Sequence, residues 1–220
     1  MKQVFDLFKL RIGVAIAFAA AAGLAVESGA APGALAATVL VLAVLVASAA
    51  AGAFNQYAER DLDARMGRTR NRPFVTGRLR HGPFWLWVIG AMLAASVLAA
   101  AVAANALAAA YVFLGAFTYG VVYTVWLKRR TWWNIVVGGL AGSFAVLAGA
   151  AAVSPAPGPE ALWLAVVLFL WTPPHFWSLA IVWREDYAAA GVPMLPVVVG
   201  DARAARAIFA SMNRDRKSVV

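Results

Sequence analysis

The chain has no cysteine, only two histidines and little charge, and each shortage excludes a class of protein. Without cysteine it cannot form disulfides or thiolate metal sites, and His81 and His175 alone cannot build a histidine-rich metal centre. Charged residues make up 13% of the 220 residues and apolar residues 63%. A chain so poor in charge cannot cover a water-facing surface, so the composition predicts a protein whose solvent is lipid.

Six apolar stretches are long enough to cross a bilayer, which takes about 20 residues in a helix. They lie at 10–27, 34–54, 84–104, 106–126, 135–153 and 161–183. Their many alanines suit close packing of helices in lipid. The sequence therefore predicts an all-α fold, a polytopic membrane bundle of about six transmembrane helices, with a further helix beginning near Asp201.

Basic residues occur only in alternate connectors between these stretches. Lys and Arg precede the first stretch, fill 60–80 and 128–130, and follow the sixth, whereas 27–33, Asn105 and 154–160 contain none. Because positively charged connectors stay in the cytoplasm, we expect a cytoplasmic N-terminus in a cell inner membrane. The Lys and Arg of these cytoplasmic connectors then account for the net charge of +9. We therefore expect no nucleic-acid partner.

The longest basic connector begins with a polar stripe. Asn55, Glu59 and Asp63 recur four residues apart, so they share one face if the second helix continues past Asn55. Asp61 points elsewhere, and we expect it to pair with a nearby Arg. Carboxylates at a membrane boundary suit Mg²⁺, which proteins usually bind through a few carboxylates and substrate phosphates. The stripe therefore favours a magnesium site.

Other charged residues could complete such a site. Four arginines follow the stripe, and Arg binds phosphate through a bidentate fork: Arg65, Arg68, Arg70 and Arg72. Lys128 and Arg129 in a second basic connector offer further cations, and Glu185 and Asp186 add acids after the sixth stretch. The alternatives are a solvated loop, a cluster that only fixes topology and an ordinary helix end.

His175 lies inside the sixth stretch, directly after Pro173 and Pro174. Two prolines at membrane depth interrupt backbone hydrogen bonding, which is tolerated where neighbouring helices or a cavity satisfy the freed groups. The imidazole could ligate iron, relay a proton or bond to a freed carbonyl. The residue pattern alone favours the carbonyl, although an ionisable group inside a membrane is also a candidate functional residue.

Four segments in order carry a family resemblance. They are Asn55-x₃-Glu59-x₃-Asp63 continued to Pro73, Tyr123–Gly139, Pro174-His175-Phe176-Trp177 and Asp186–Pro196. The first is similar to the first Asp-rich motif of the UbiA-type intramembrane prenyltransferase superfamily, with Glu59 where Asp is usual. Within that superfamily, the four together resemble the heme O synthase family.

The resemblance implies a helical bundle around a lateral cavity, with Mg²⁺ as cofactor at the cytoplasmic mouth. It implies transfer of a farnesyl group from farnesyl diphosphate to a vinyl group of heme b, forming heme O, with a heme A synthase as a further partner. Matched positions imply roles for residues in four sets. The catalytic set is Asn55, Glu59, Asp63 and Lys128; the metal set is Glu59, Asp63, Glu185 and Asp186; the diphosphate set is Arg68, Arg72, Lys128 and Arg129; His175 would bind heme.

Two other functions remain open. A quinone or chlorophyll prenyltransferase of the same superfamily is disfavoured by the segments 174–177 and 190–196. A non-catalytic transporter or assembly factor would place its charges at mid-membrane, whereas nearly all charges here lie in connectors. The family has about nine helices. We therefore expect 1–214 to be a prenyltransferase domain incomplete at its C-terminus, and 215–220 to be a non-native tail.

The charge pattern makes a prediction about topology. Reporter fusions at Gly67 and Gly158 should report opposite sides of the membrane, because carrying an Arg through the bilayer centre costs about 2.5–3.5 kcal/mol or more. Reporters that are active on one side only, such as an alkaline phosphatase and a fluorescent protein, measure this directly. Equal signals at the two positions would contradict the six-span topology.

Overall fold

The computed structural model describes residues 6–214, which form helices joined by turns and loops, with no strand among them. The predicted tail 215–220 lies outside the described residues. The apolar stretches form α1 (Leu10–Val26), α2 (Ala34–Ala58), α4 (Pro83–Ala103), α5 (Ala106–Phe117) with the π-helical segment Thr118–Leu127, α6 (Asn134–Gly138) with α7 (Leu140–Ala151), and α8 (Pro159–Val182). The connectors contain α3 (Arg60–Arg65), α9 (Arg184–Ala189) and α10 (Leu195–Val199), and α11 (Asp201–Arg214) follows.

The predicted fold class is confirmed. Five helical segments in the described residues are long and apolar enough to cross a membrane, and α1, also apolar, is shorter at 17 residues. The observed ends lie within four residues of the predicted limits. The helix expected near Asp201 is also present. Hydropathy locates these helices well because lipid selects them by length and apolar character.

Local signals set several helix ends. The Asn105 side chain accepts a hydrogen bond from the Ala108 N–H at 2.9 Å and so caps α5. Its Nδ2 donates to the carbonyl of Ala151 at 2.6 Å, which connects the start of α5 to the end of α7. Pro83 and Pro159 stand in the first turns of α4 and α8, where a missing N–H breaks no helical hydrogen bond.

Helices α1 and α7 cross at close range because glycines stand at the contact. A Cβ added to Gly149 would overlap the carbonyl oxygen of Ala20, and one added to Gly23 would overlap the carbonyl oxygen of Val146. Such contact between backbones is typical of membrane helices, where small residues give close van der Waals packing. The crossing therefore holds α1 against the centre of the bundle.

The fifth apolar stretch forms one membrane-length helical segment, as predicted, and its two parts α6 and α7 meet at Gly139, which keeps helical backbone angles. A Cβ on Gly138 would lie 2.9 Å from the Tyr123 ring, and one on Gly139 would lie 3.2 Å from Thr172. The glycines thus allow the junction of α6 and α7 to pack between the π-helical segment and α8.

The glycine contact predicts a difference between two similar substitutions. Gly149→Ala should lower the free energy of unfolding by about 1–3 kcal/mol, since the added methyl group has no space. Gly90→Ala in α4 is the matched control, because nothing lies within 4 Å of its Cβ position and Ala favours helix. Thermal unfolding in detergent measures both, and equal effects would contradict the close crossing.

Candidate active site

The polar stripe lies at the C-terminal end of α2 and in α3. Asn55, Glu59 and Asp63 are only 2%, 1% and 2% exposed. Although α2 ends at Ala58, the helical repeat continues, because the Glu59 N–H donates to the Asn55 carbonyl at 3.0 Å and the Asp63 N–H to the Glu59 carbonyl at 2.8 Å. The predicted shared face is therefore confirmed, and it points into the protein.

The π-helical segment supplies partners in register with the stripe. Asn55 Nδ2 donates to Thr124 Oγ1 at 3.0 Å, and Lys128 Nζ donates to Glu59 Oε2 at 2.6 Å. The wider π turn is seen where the Lys128 N–H donates to the carbonyl of Tyr123, five residues back, at 2.9 Å. Sequence reasoning found Lys128 but missed Thr124, since a π turn changes which residues share a face.

Arg72 binds the second acid of the stripe. Its Nη1 donates to both carboxylate oxygens of Asp63, at 2.8 and 2.7 Å. The turn between them is closed by Thr69 Oγ1, which donates to the Asp63 carbonyl at 3.1 Å. Burial raises the pKa of Asp63, while the charge and hydrogen bonds of Arg72 act in the opposite direction.

Lys9 is a member of this cluster that the sequence did not reveal. Its Nζ donates to Asn55 Oδ1 at 2.5 Å and to the Tyr119 hydroxyl at 3.0 Å. Burial, followed by the charge of Arg72, lowers the pKa of Lys9 to about 7. The sequence marks Lys9 only as a basic residue before a helix, because its partners are 46 and 110 residues away.

The donor set fits a divalent cation together with an anion. Glu59 Oε1 is buried and has no hydrogen-bond partner among the described residues, so one carboxylate oxygen remains available to a cation. Two acids, Glu59 and Asp63, face Lys128, Arg72 and Lys9 here. Lys128 and Arg72 balance the two acids, and Lys9, with its pKa lowered to about 7, would be favoured in its charged form by a phosphate-bearing ligand.

The second acidic connector is not joined to these acids. Asp186 accepts hydrogen bonds from the backbone N–H groups of Gly67 at 3.0 Å and Arg68 at 3.1 Å, and Glu185 is exposed. No group of three or more His, Asp or Glu side chains in residues 6–214 is placed to share a metal ion. Asp186 thus joins the connector after α8 to the connector after α2, while Arg68 Nη2 donates to the Tyr187 hydroxyl at 3.3 Å.

Arg129 points away from the buried cluster. Its guanidinium donates to the two oxygens of Asp61 at 2.9 and 2.8 Å, and both side chains are exposed at the surface. The hydrogen bonds from Arg129 hold the pKa of Asp61 below its ordinary value. The predicted pairing of Asp61 with an Arg is confirmed, and this pair occupies the guanidinium that was expected to face a diphosphate.

His175 is exposed on α8, which continues through Pro173 and Pro174. Its ring stacks on Trp171 with centroids 4.3 Å apart and lies nearly perpendicular to the Phe176 ring, with centroids 5.5 Å apart. No hydrogen bond joins His175 to a backbone carbonyl within the described part of the chain, contrary to the expectation from the residue pattern alone. Its contacts are aromatic.

A mainly apolar cavity begins at the buried cluster and extends towards the opposite end of the bundle. The end at the cluster is called the inner end of the cavity, and the opposite one its outer end. Lys9 and Tyr119 line its inner end, and the Trp171 and Phe176 rings beside His175 also line it. Its other walls come from five helices and include Ile16, Ala19, Val44, Ala47, Tyr111, Val112, Ala141, Ala145 and Leu168. The arrangement can bind an amphipathic anion, with its charged head at the cluster and its apolar part in the cavity.

Fold and site together define a polytopic membrane protein with a buried acid–base cluster at the inner end of an apolar cavity. Comparison with known proteins identifies the family. The model of the UbiA prenyltransferase family matches residues 15–212. This chain therefore belongs to the UbiA prenyltransferase family, and it is a multi-pass membrane protein, as predicted.

Among curated proteins, the chain is 60% identical over 211 residues to protoheme IX farnesyltransferase 2 of Paramagnetospirillum magneticum. It is 49% identical over 211 residues to protoheme IX farnesyltransferase 1 of the same organism. The alignments cover 96% of this chain and 73% and 74% of these relatives. Protoheme IX farnesyltransferase is another name for heme O synthase, so the predicted resemblance to that family within the superfamily is confirmed.

Solved structures show the same fold. A UbiA homologue from Archaeoglobus fulgidus bound to DMAPP and Mg²⁺ aligns with a TM-score of 0.80 at 20% identity, covering 96% of this chain and 74% of that one. The same homologue bound to GPP and Mg²⁺ aligns with a TM-score of 0.81 at 22% identity, covering 95% and 73%. At such identities the likeness concerns the arrangement of helices.

The two ion pairs predict unequal effects of charge removal. Glu59→Gln should lower the free energy of unfolding by about 3–5 kcal/mol, because it leaves Lys128 buried without a counter-charge. Asp61→Asn is the matched control and should cost less than about 1 kcal/mol, because its pair with Arg129 is exposed. Chemical denaturation in detergent compares the two, and equal losses would contradict a buried pair.

Proposed function

We propose that this chain transfers a farnesyl group from farnesyl diphosphate to a vinyl group of heme b, forming heme O. The observation that carries the proposal is the junction of the buried cluster with the apolar cavity at Lys9 and Tyr119. A prenyl diphosphate has the same two parts, a charged head and an apolar chain. The names of the relatives that are 60% and 49% identical support farnesyl and heme as the two substrates.

The proposed roles follow from charge. Lys128, Arg72 and Lys9 bind the diphosphate, because their ammonium and guanidinium groups already lie at the cluster. Arg68 contributes from the rim, whereas the predicted role of Arg129 would require its guanidinium to leave Asp61. Glu59 and Asp63 hold Mg²⁺ with the diphosphate, and Asn55 keeps Lys9 in place. Asp186 and Glu185 complete the metal site only if the Gly67–Arg68 turn moves, since Asp186 is bound there.

Bound Mg²⁺ would neutralise part of the charge on the leaving diphosphate. The bond between the first farnesyl carbon and the diphosphate oxygen breaks, and the diphosphate leaves with the electron pair. The vinyl π electrons form the new carbon–carbon bond. Water then adds to the resulting cation and loses a proton, which gives the hydroxyethylfarnesyl group. The apolar walls exclude other water from the allylic cation until this step.

His175 is proposed to position heme. Its ring is accessible, stacks on Trp171 and lies nearly perpendicular to Phe176, and these two aromatic residues line the cavity, which suits contact with a large flat ligand. An intramembrane histidine without a carbonyl partner in the described residues also favours a role in binding. His175→Ala would then weaken heme binding while leaving diphosphate binding unchanged.

The basic connectors support a cytoplasmic N-terminus and a cytoplasmic mouth in the inner membrane. Farnesyl diphosphate would enter from the cytoplasm with its charged head at the mouth. Heme b and heme O carry large apolar surfaces and would remain in the bilayer. We therefore propose that the product passes within the membrane to a heme A synthase.

Expression in a bacterium that lacks heme O tests the function directly. Mass spectrometry of extracted hemes should show the hydroxyethylfarnesyl derivative when this chain is in the membrane. Heme b alone, with the protein present and folded, would overturn the proposal. A prenylated quinone or chlorophyll would instead assign the chain to another branch of the superfamily, and no prenylated product would favour a non-catalytic function.

The metal assignment predicts a specific loss. Asp63→Asn should reduce magnesium-dependent farnesyl transfer by about 100-fold or more, because it removes a metal ligand and the partner of Arg72. Asp61→Asn provides the control, since Asp61 is exposed beside Arg129 and should retain nearly full activity. The assay follows farnesylated heme against Mg²⁺ concentration. Equal activity in both variants would disprove the assignment of Asp63.

A further inference from the structure

We infer that the outer end of the cavity, closed by Tyr111 and the α1–α7 crossing, limits the prenyl chain to three isoprene units. This inference rests on the proposed function and adds the feature that selects chain length. It concerns residues deep in the apolar part of the bundle, well separated along the helices from the acids and cations of the mouth.

The cavity has a definite depth, because its lining residues span the same interval on several helices. On α1 they run from Lys9, at its start, to Ala19, which corresponds to about 15 Å at 1.5 Å per residue. From Tyr111 to Tyr119, and likewise from Leu168 to Phe176, the interval is about 12 Å. The distance from the charged end to the closed end is therefore about 12–15 Å.

The outer end is closed by packed backbone as well as side chains. Ala19 and Ala145 line the cavity, and the next residues, Ala20 and Val146, are those whose carbonyl oxygens leave no space for a Cβ on Gly149 or Gly23. Backbone at such close contact cannot move aside as a flexible side chain can. The wall between α1 and α7 is thus fixed at this level.

Tyr111 closes the rest of the outer end. It lines the cavity from α5, and its ring stacks on Phe144 of α7 with centroids 6.1 Å apart. Beyond it towards the outer side, the fully buried Leu40, Ala108 and Ala148 fill the bundle. Tyr111 is therefore a large aromatic side chain at this end whose truncation would lengthen the cavity without changing the α1–α7 contact.

The depth matches one chain length. Carbon–carbon bonds of about 1.5 Å in an extended chain advance roughly 5 Å per isoprene unit. A farnesyl chain then spans about 15 Å, a geranyl chain about 10 Å and a geranylgeranyl chain about 20 Å. With the diphosphate at Lys9 and Lys128, the farnesyl chain fills the cavity, the shorter chain leaves space and the longer chain meets Tyr111.

Binding of unreactive analogues tests this inference without requiring turnover. The thiolodiphosphates of geranyl, farnesyl and geranylgeranyl alcohol would be titrated against the purified chain with Mg²⁺. The unmodified chain should bind the farnesyl analogue best. In Tyr111→Ala the affinity for the geranylgeranyl analogue relative to the farnesyl analogue should rise by about tenfold or more, because the additional carbons gain apolar contact.

Tyr111→Phe is the control, because it keeps the ring and should keep the farnesyl preference. If the unmodified chain prefers farnesyl and Tyr111→Ala leaves the ratio unchanged, the inference is wrong and the proposed function stands. If the unmodified chain binds no prenyl thiolodiphosphate, the proposed function is wrong and the inference falls with it. If Tyr111→Ala fails to fold, Tyr111→Leu takes its place, because leucine is shorter than tyrosine and apolar. The affinity for the geranylgeranyl analogue relative to the farnesyl analogue should again rise.

Discussion

Burying a carboxylate at the end of a membrane bundle is unfavourable unless a cation accompanies it. Glu59 meets this condition through Lys128, and Asp63 meets it through Arg72. These pairs bring together the end of α2, the π-helical segment and the turn after α3. The positions of Asn55, Thr124 and Lys9 follow from the same contact, since each hydrogen-bonds to a neighbour in the cluster. The rest of the site depends on this pairing of buried charges.

The pairing also explains how a charged site can adjoin an apolar cavity. The cations are already held by the protein, so a diphosphate would find its partners in place instead of attracting mobile side chains from water. The helices around the cavity contribute small and apolar residues, and the crossing of α1 and α7 holds these helices close together. The cluster can therefore hold a charged head while the bundle excludes water from the attached chain.

Much of this could be predicted from residue spacing, and the failures have physical causes. The helices follow from hydropathy, and the shared face of Asn55, Glu59 and Asp63 follows from the helical repeat. Lys9 and Thr124 were missed because their partners are distant along the chain and because a π turn shifts the repeat. Nothing in the spacing of Asp186 indicated that its carboxylate binds the N–H groups of Gly67 and Arg68.

The proposed reaction requires Glu59 and Asp63 to hold a divalent cation against a diphosphate at the mouth of the cavity. Mn²⁺ in place of Mg²⁺, with farnesyl thiolodiphosphate, makes this visible to pulsed electron paramagnetic resonance. We expect bound Mn²⁺ with hyperfine coupling to phosphorus, and we expect this coupling to be lost in Glu59→Gln and kept in Asp61→Asn. Bound Mn²⁺ without phosphorus coupling, or an unchanged signal in Glu59→Gln, would contradict this requirement.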